Sequence, residues 1–251
     1  MERFVRRETF PVHTYEVDAF GLLGAPALAG YLQEVAGNHA TELGCGLAAM
    51  QAKGVGWVLS RQRLEIAAPI GSGEVLTVET WPSGVERLMA LRDFLVRRRD
   101  GSVVARALTH WLVMDLRSRR PVRPDRVLDA RYRPTAEHVF EEASPPLPEV
   151  ERAEVERRLD VRYQDIDQIQ HVTNASYLAW AVEAVPEEFW RARRLAAAET
   201  SFLAECRYGG RVVSRLQRLS EREFAHAIAR EEDGRVLARL RTAWTPREAA
   251  P

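Results

Sequence analysis

Residues 100–111 read DGSVVARALTHW, and residues 233–244 read DGRVLARLRTAW. The two stretches share Asp, Gly, Val, Ala, Arg, Thr and Trp in a single register, and self-similarity of this kind marks a duplicated structural unit. Upstream of these stretches, AGYLQEVA (residues 29–36) has a partner in ASYLAWAV (residues 175–182). A tyrosine-bearing acidic segment precedes each of them, TYEVDAFG from Thr14 and RYQDIDQIQH from Arg162. Both copies therefore run in the order acidic segment, apolar helix, strands, with the last strand opened by an Asp-Gly turn of the kind that favours hairpins.

The strands follow from β-branched and aromatic residues in partial alternation. In the first copy they are VGWVLSRQRLEI from Val55, GEVLTVETW from Gly73, LMALRDFLVRRR from Leu88 and SVVARALTHWLVMDL from Ser102. In the second they are AAETSFLAECRY, RVVSRLQRL, REFAHAIAR and RVLARLRTAW. The helices, APALAGYLQEVAGNHATEL and TNASYLAWAVEAV, are apolar or small on nearly every face of their first turns, so each must be enclosed rather than laid on a surface. A long antiparallel sheet that curls as it twists can enclose one helix. The expected fold class is α+β, with two tandem hot-dog domains, each a curled antiparallel sheet wrapped around a central helix. The expected domains are residues 1–128 and 152–251. They are joined by a linker over 129–151, where RYRPTAEHVFEEASPPLPEVE gathers proline and acid without periodicity.

Composition narrows the function classes. The chain of 251 residues carries 36 basic and 36 acidic residues, so no net field draws it to nucleic acid or a membrane surface. Arginine supplies nearly all the positive charge, Lys53 being the only lysine, with clusters at Arg97–Arg99, at Arg117, Arg119, Arg120 and Arg123, and at Arg191, Arg193 and Arg194. Any one cluster reads first as a solvated face, and second as a docking surface for an acidic partner. Cys45 and Cys206 form no spaced pair, and His13, His39, His110, His138 and His226 show no ligand spacing, so neither a disulfide framework nor a metal site is expected. No segment has the length and hydropathy of a signal peptide or a membrane span, which sets the expectation of a soluble, cytoplasmic protein.

Most of the chemistry lies in DIDQIQHVTNASYLAW, residues 165–180. Asp167 and His171 are four apart, and Thr173 or Asn174 can cap the helix that follows. A loop entering the amino end of a buried helix meets unpaired N–H groups and a dipole that favours negative charge. Acyl transfer needs oxyanion donors, a base for water and a group for the second proton. Asp and His at a helix start are more often caps and loop anchors. The first copy shifts that weighting: it keeps Tyr15, Glu16 and Asp18 but has no histidine where His171 would fall. The expected division is a working second half and a first half given over to binding.

These residues resemble the plant and bacterial acyl-acyl-carrier-protein thioesterases, over nearly the whole chain. The family signature, close to D-L-D-x-N-x-H-V-N-N-x-x-Y-x-x-W, stands here as residues 165–174 with Tyr177 and Trp180 in place. A second signature, like L-E-Y-R-R-E-C, appears as SFLAECRY, and YLQEVAGNHATELG and GWVLSRQRLEI look like the family's first helix and following strand. The resemblance implies hydrolysis of a fatty acyl thioester on acyl carrier protein, ending chain elongation, with no metal or organic cofactor. It places Asp167 and His171 at catalytic positions and Glu205 at that of the acidic residue which positions or activates water. Trp57 and Asn174 are the substrate-binding candidates, with core packing an equal reading for Trp57. The family's asparagine is Ile169 here, and isoleucine neither donates nor accepts a hydrogen bond. Three readings stay open: an acyl-acyl-carrier-protein thioesterase, a non-hydrolytic acyl-thioester binding protein, and an acyl-coenzyme A thioesterase of the same fold. Self-association into a homodimer also stays open. Cys206 reads as a buried small residue, its thiol pKa raised by neighbouring Glu205.

Overall fold

The computed structural model describes residues 5–142 and 144–247, in two compact units divided between residues 143 and 144. The first unit contains β1 (Arg6–Pro11), α1 (Ala25–Glu42), α2 (Leu47–Ala52), β2 (Val55–Ile66), β3 (Val75–Glu86), β4 (Met89–Arg97), β5 (Val103–Asp115) and the short β6 (Pro121–Val122). Its strands are antiparallel in the order β1-β3-β4-β5-β2, with β6 on β5. The second unit contains β7 (Val155–Asp160), α3 (Asn174–Val182), α4 (Glu187–Ala192), β8 (Arg193–Phe202), β9 (Arg211–Arg218), β10 (Glu223–Arg230) and β11 (Val236–Pro246). Its order, β7-β9-β10-β11-β8, is the same topology again. Each unit has one long helix on a twisted antiparallel sheet, the hot-dog arrangement.

The repeated sequence makes repeated bonds. Asp100 Oδ1 accepts from the Ser102 N–H at 2.9 Å and Asp233 Oδ1 from the Arg235 N–H at 3.1 Å. Gly101 and Gly234 take φ of 87° and 70°, a region glycine enters without Cβ strain. At the far end of the motif, Trp111 Nε1 donates to Thr109 Oγ1 at 2.9 Å and Trp244 Nε1 to Thr242 Oγ1 at 3.0 Å. Thus the residues shared between the copies set the turn and tie the indole of the last strand.

In α1, Leu28, Leu32 and Val35 fall on one stripe and are buried; the helix packs on β1 and β3, where Leu76 and Val78 are also buried. Each such side chain contributes about 1.5–3 kcal/mol of transfer free energy. The start of α1 is covered, but Gly30, Gln33, Glu34, Gly37 and Thr41 are exposed. α3 has no exposed residue and packs on β9, β10 and β11.

The strands of the sequence reading are present, and β1, β6, β7, α2, α4 and the early end of β8 lie outside it. β1 and β7 were hidden in charged stretches, RRETFP and VERRLD, because an outer strand with one open face need not alternate cleanly. β8 begins at Arg193 and ends at Phe202, so Glu205 and Cys206 lie beyond the strand rather than on it. The strand stops because the N–H groups of Leu203 and Ala204 both turn to the Leu237 carbonyl, at 2.8 and 3.1 Å. The first unit does the same with Ala67 and Ala68 on the Val104 carbonyl.

Candidate active site

The DIDQIQHVTN segment forms a tight loop closed by a bridge between Ile166 and Val172 and runs into α3, whose N-cap is Thr173. The Thr173 side chain accepts from the Ser176 N–H at 3.3 Å, and Asn174 is the first helical residue. The two carboxylates have different tasks. Asp165 is buried; it accepts from the Arg162 N–H at 2.8 Å, from the Arg162 guanidinium, and from Ser176 Oγ at 3.2 Å, pinning the loop entry to the helix. Asp167 is half-buried; its Oδ1 accepts from the N–H groups of Ile169 at 3.0 Å and His171 at 3.1 Å.

Glu205 reaches this loop from the other side. The Val172 N–H donates to the Cys206 carbonyl at 3.1 Å, which carries the 203–206 segment alongside the loop and sets Glu205 Oε2 3.3 Å from His171 Nε2. Arg207 Nη2 lies 4.0 Å from the same carboxylate oxygen. Arg230 Nη2 donates to the Glu205 carbonyl at 3.3 Å, and Tyr177 Oη reaches the Ala204 carbonyl at 3.5 Å. Asp167, His171, Glu205 and Asn174 are therefore gathered around one loop, with the imidazole and the Glu205 carboxylate in contact and partly open to solvent. A carboxylate paired with an imidazole, next to a helix amino end, can take a proton from water and return one to a leaving group.

Trp57 lies in the first unit, on β2. Its indole N–H donates to the Cys45 carbonyl at 2.8 Å, and its ring meets Trp111 edge-on at 6.5 Å. Cys206 is buried, as expected, but the cause of its raised thiol pKa is burial itself, not Glu205. Among the described residues, no group of three or more His, Cys, Asp or Glu side chains is placed to hold a metal ion. None of their helices is long and apolar enough to cross a membrane. The arginine clusters are partly spent internally: Arg97 and Arg7 both pair with Glu79, Arg191 pairs with Glu187 at 2.6 Å, and the Arg193 guanidinium lies 4.6 Å from the Phe189 ring centre.

Comparison of the two copies isolates what is particular to the second. In the first unit Asp18 Oδ1 accepts from the Phe20 and Leu22 N–H groups at 2.8 and 3.1 Å, Val17 bridges Leu23, and the Leu23 N–H donates to the Ile70 carbonyl. Glu16 takes the place of Asp165, accepting from the His13 N–H and from Tyr31 Oη on the helix. Arg98 reaches the Pro69 carbonyl as Arg230 reaches that of Glu205. The scaffold is the same, with Leu22 at the place of His171 and Pro69 at the place of Glu205. The part played by Arg230 escaped the sequence reading; the only signal for it was an arginine shortly before each Asp-Gly turn.

The chain matches the profile of the acyl-ACP thioesterase N-terminal domain over residues 3–131 and that of the C-terminal domain over residues 149–246. It is 27% identical to the chloroplastic palmitoyl-acyl carrier protein thioesterase of Gossypium hirsutum, covering 96% of this chain and 64% of the relative. It is 26% identical to the chloroplastic oleoyl-acyl carrier protein thioesterase 1 of Arabidopsis thaliana, covering 95% and 75% respectively. Among solved structures, an acyl-ACP thioesterase from Bacteroides thetaiotaomicron superposes with a TM-score of 0.82 at 25% identity, covering 96% of this chain and 98% of that one. The 12:0-ACP thioesterase of Umbellularia californica superposes at 0.83 and 24%, covering 98% and 99%. With both domain profiles matched in order along nearly its whole length, the chain belongs to the acyl-ACP thioesterase family.

Proposed function

We propose that the protein hydrolyses fatty acyl thioesters carried on acyl carrier protein, releasing free fatty acid, with its catalytic residues in the second unit and its acyl-binding residues chiefly in the first. The observation that carries this reading is the His171–Glu205 contact at 3.3 Å, placed on a loop scaffold that the first unit repeats without either side chain. Family membership and the names of the relatives support the reaction and the carrier. The carboxylate of Glu205 takes a proton from water as the water oxygen attacks the thioester carbon. The carbon–sulfur bond then breaks, and the proton held by Glu205 passes through His171, 3.3 Å away, to the departing thiolate of the phosphopantetheine arm, leaving both groups as they began. Asp167 holds the loop through Oδ1 and leaves its second oxygen to the reacting centre. The amino end of α3, with Asn174 in its first turn, favours the oxyanion. Trp57 lines the acyl-binding side of the first unit. Two buried free cysteines, Cys45 and Cys206, support a reducing compartment such as the cytoplasm.

The test is thiol release from matched series of acyl-ACP and acyl-coenzyme A of increasing chain length. Release favouring the carrier protein is expected. Equal or better use of coenzyme A would move the assignment to an acyl-coenzyme A thioesterase, and tight binding without release would make the protein a thioester binder.

A further inference from the structure

Gln170 takes φ of 64°, a left-handed conformation that L-residues enter at a steric cost. The matching position of the first unit is Gly21, φ 74°, which bears no such cost. The other non-glycine residues with positive φ, Arg87, Arg119 and Ala136, lie outside both helix-entry loops. A strained side chain kept where the sister loop uses glycine is a pointer to function.

The loop's own hydrogen bonds show which donors are left. The N–H groups of Ile169 and His171 are both given to Asp167 Oδ1, and that of Gln170 goes to the Asp167 carbonyl at 3.0 Å. No backbone donor from 169 to 171 remains for a ligand, and the Ile169 side chain has none to offer. The Gln170 side chain is exposed. Its carboxamide has no hydrogen-bond partner among the described residues, and it sits between the Asp167 anchor and His171.

We propose that the Gln170 carboxamide is a side-chain donor that joins the amino end of α3 in steadying the thioester carbonyl oxygen as it becomes an oxyanion, a role that Ile169 cannot fill; this rests on the hydrolase reading above. When water adds to the carbonyl carbon, the π-electron pair moves onto the oxygen held by Gln170 Nε2–H. When the tetrahedral intermediate collapses, that pair re-forms the carbonyl and the thiolate leaves.

The test compares Gln170→Gly, Gln170→Glu and Gln168→Ala with the wild type on one acyl-ACP. Glycine suits this backbone, so the melting temperature should hold or rise while kcat falls roughly a hundred- to a thousand-fold with little change in KM, the size expected for loss of one oxyanion donor. Gln170→Glu, which keeps the shape and loses the N–H, should fall at least as far, and Gln168→Ala should stay within about threefold, far below a donor's worth. Wild-type kcat in a folded Gln170→Gly protein, or a loss confined to Gln168→Ala, overturns the assignment of Gln170 while leaving the hydrolase reading intact. A wild-type protein that releases no thiol overturns both.

Discussion

Asp167 repeats, bond for bond, what Asp18 does in the other unit: each carboxylate accepts the N–H groups two and four residues further along the chain, at 3.0 and 3.1 Å for Asp167 and 2.8 and 3.1 Å for Asp18. On the proposed mechanism, holding a loop and serving a reaction are separable, because Asp18 is given only the first task. Asp18→Ala should lower stability by about 1–2 kcal/mol, the loss typical of a capping carboxylate, with kcat on an acyl thioester close to normal. Asp167→Ala should lose similar stability and orders of magnitude in kcat. Parallel denaturant melts and turnover measurements check this; equal kinetic effects at the two positions would contradict the division of labour.

Thr242 holds two buried groups, accepting from Trp244 Nε1 and meeting His226 Nε2 at 2.8 Å. Thr109 accepts from Trp111 Nε1 and itself donates to the Arg92 carbonyl at 3.2 Å. Thr242→Val should therefore destabilise the protein by about 1–3 kcal/mol through groups left unpaired, and Thr109→Val by less, since Trp111 is only partly buried. Urea unfolding of the two variants gives the order directly.

His226 is fully buried on β10, and burial lowers its pKa to about 3. The unfolded chain takes up a proton near pH 6.5 that the folded chain refuses. The neutral histidine's contribution is complete above about pH 6.5 and is lost as the pH falls from there toward about 3. His39, neutral beside the Arg92 guanidinium, is lowered to about 3 by burial and then by that charge, and acts in the same direction. His226→Gln should flatten the acid limb of the stability curve by about one proton. An unchanged slope, measured by melts from pH 4 to pH 7, would mean that the imidazole becomes protonated without unfolding.

Much of this architecture was legible because the chain states it twice. The Asp-Gly turn and the Thr-x-Trp pair carry the repeat, and both turn out to make the same bonds in both units. Spacing singled out Asp167 and His171 and the family resemblance added Glu205, and the structure brings His171 and Glu205 to 3.3 Å. What could not be read was that the strand before Glu205 ends at Phe202, since that depends on two successive N–H groups sharing the Leu237 carbonyl across the sheet. Nor does spacing reveal a backbone twist: Gln170 looks like any polar loop residue until its φ is compared with that of Gly21. β1 and β7 were hidden for a related reason, because their arginines and glutamates meet partners on neighbouring strands, as Arg7 meets Glu79 and Glu156 meets Arg215.

The contact between His171 and Glu205 carries the functional reading, and Glu205→Gln tests it with the least disturbance. The side chain is partly exposed, the Val172 and Arg230 bonds to the backbone carbonyls of Cys206 and Glu205 stay in place when the carboxylate is changed, and glutamine has the same shape. The measurement is kcat/KM of the folded Glu205→Gln protein against the wild type on a single acyl-ACP. A fall of roughly a hundred-fold or more, the scale on which general acid–base groups act, with an unchanged melting temperature is the predicted result. A variant that releases thiol at close to the wild-type rate would contradict the account.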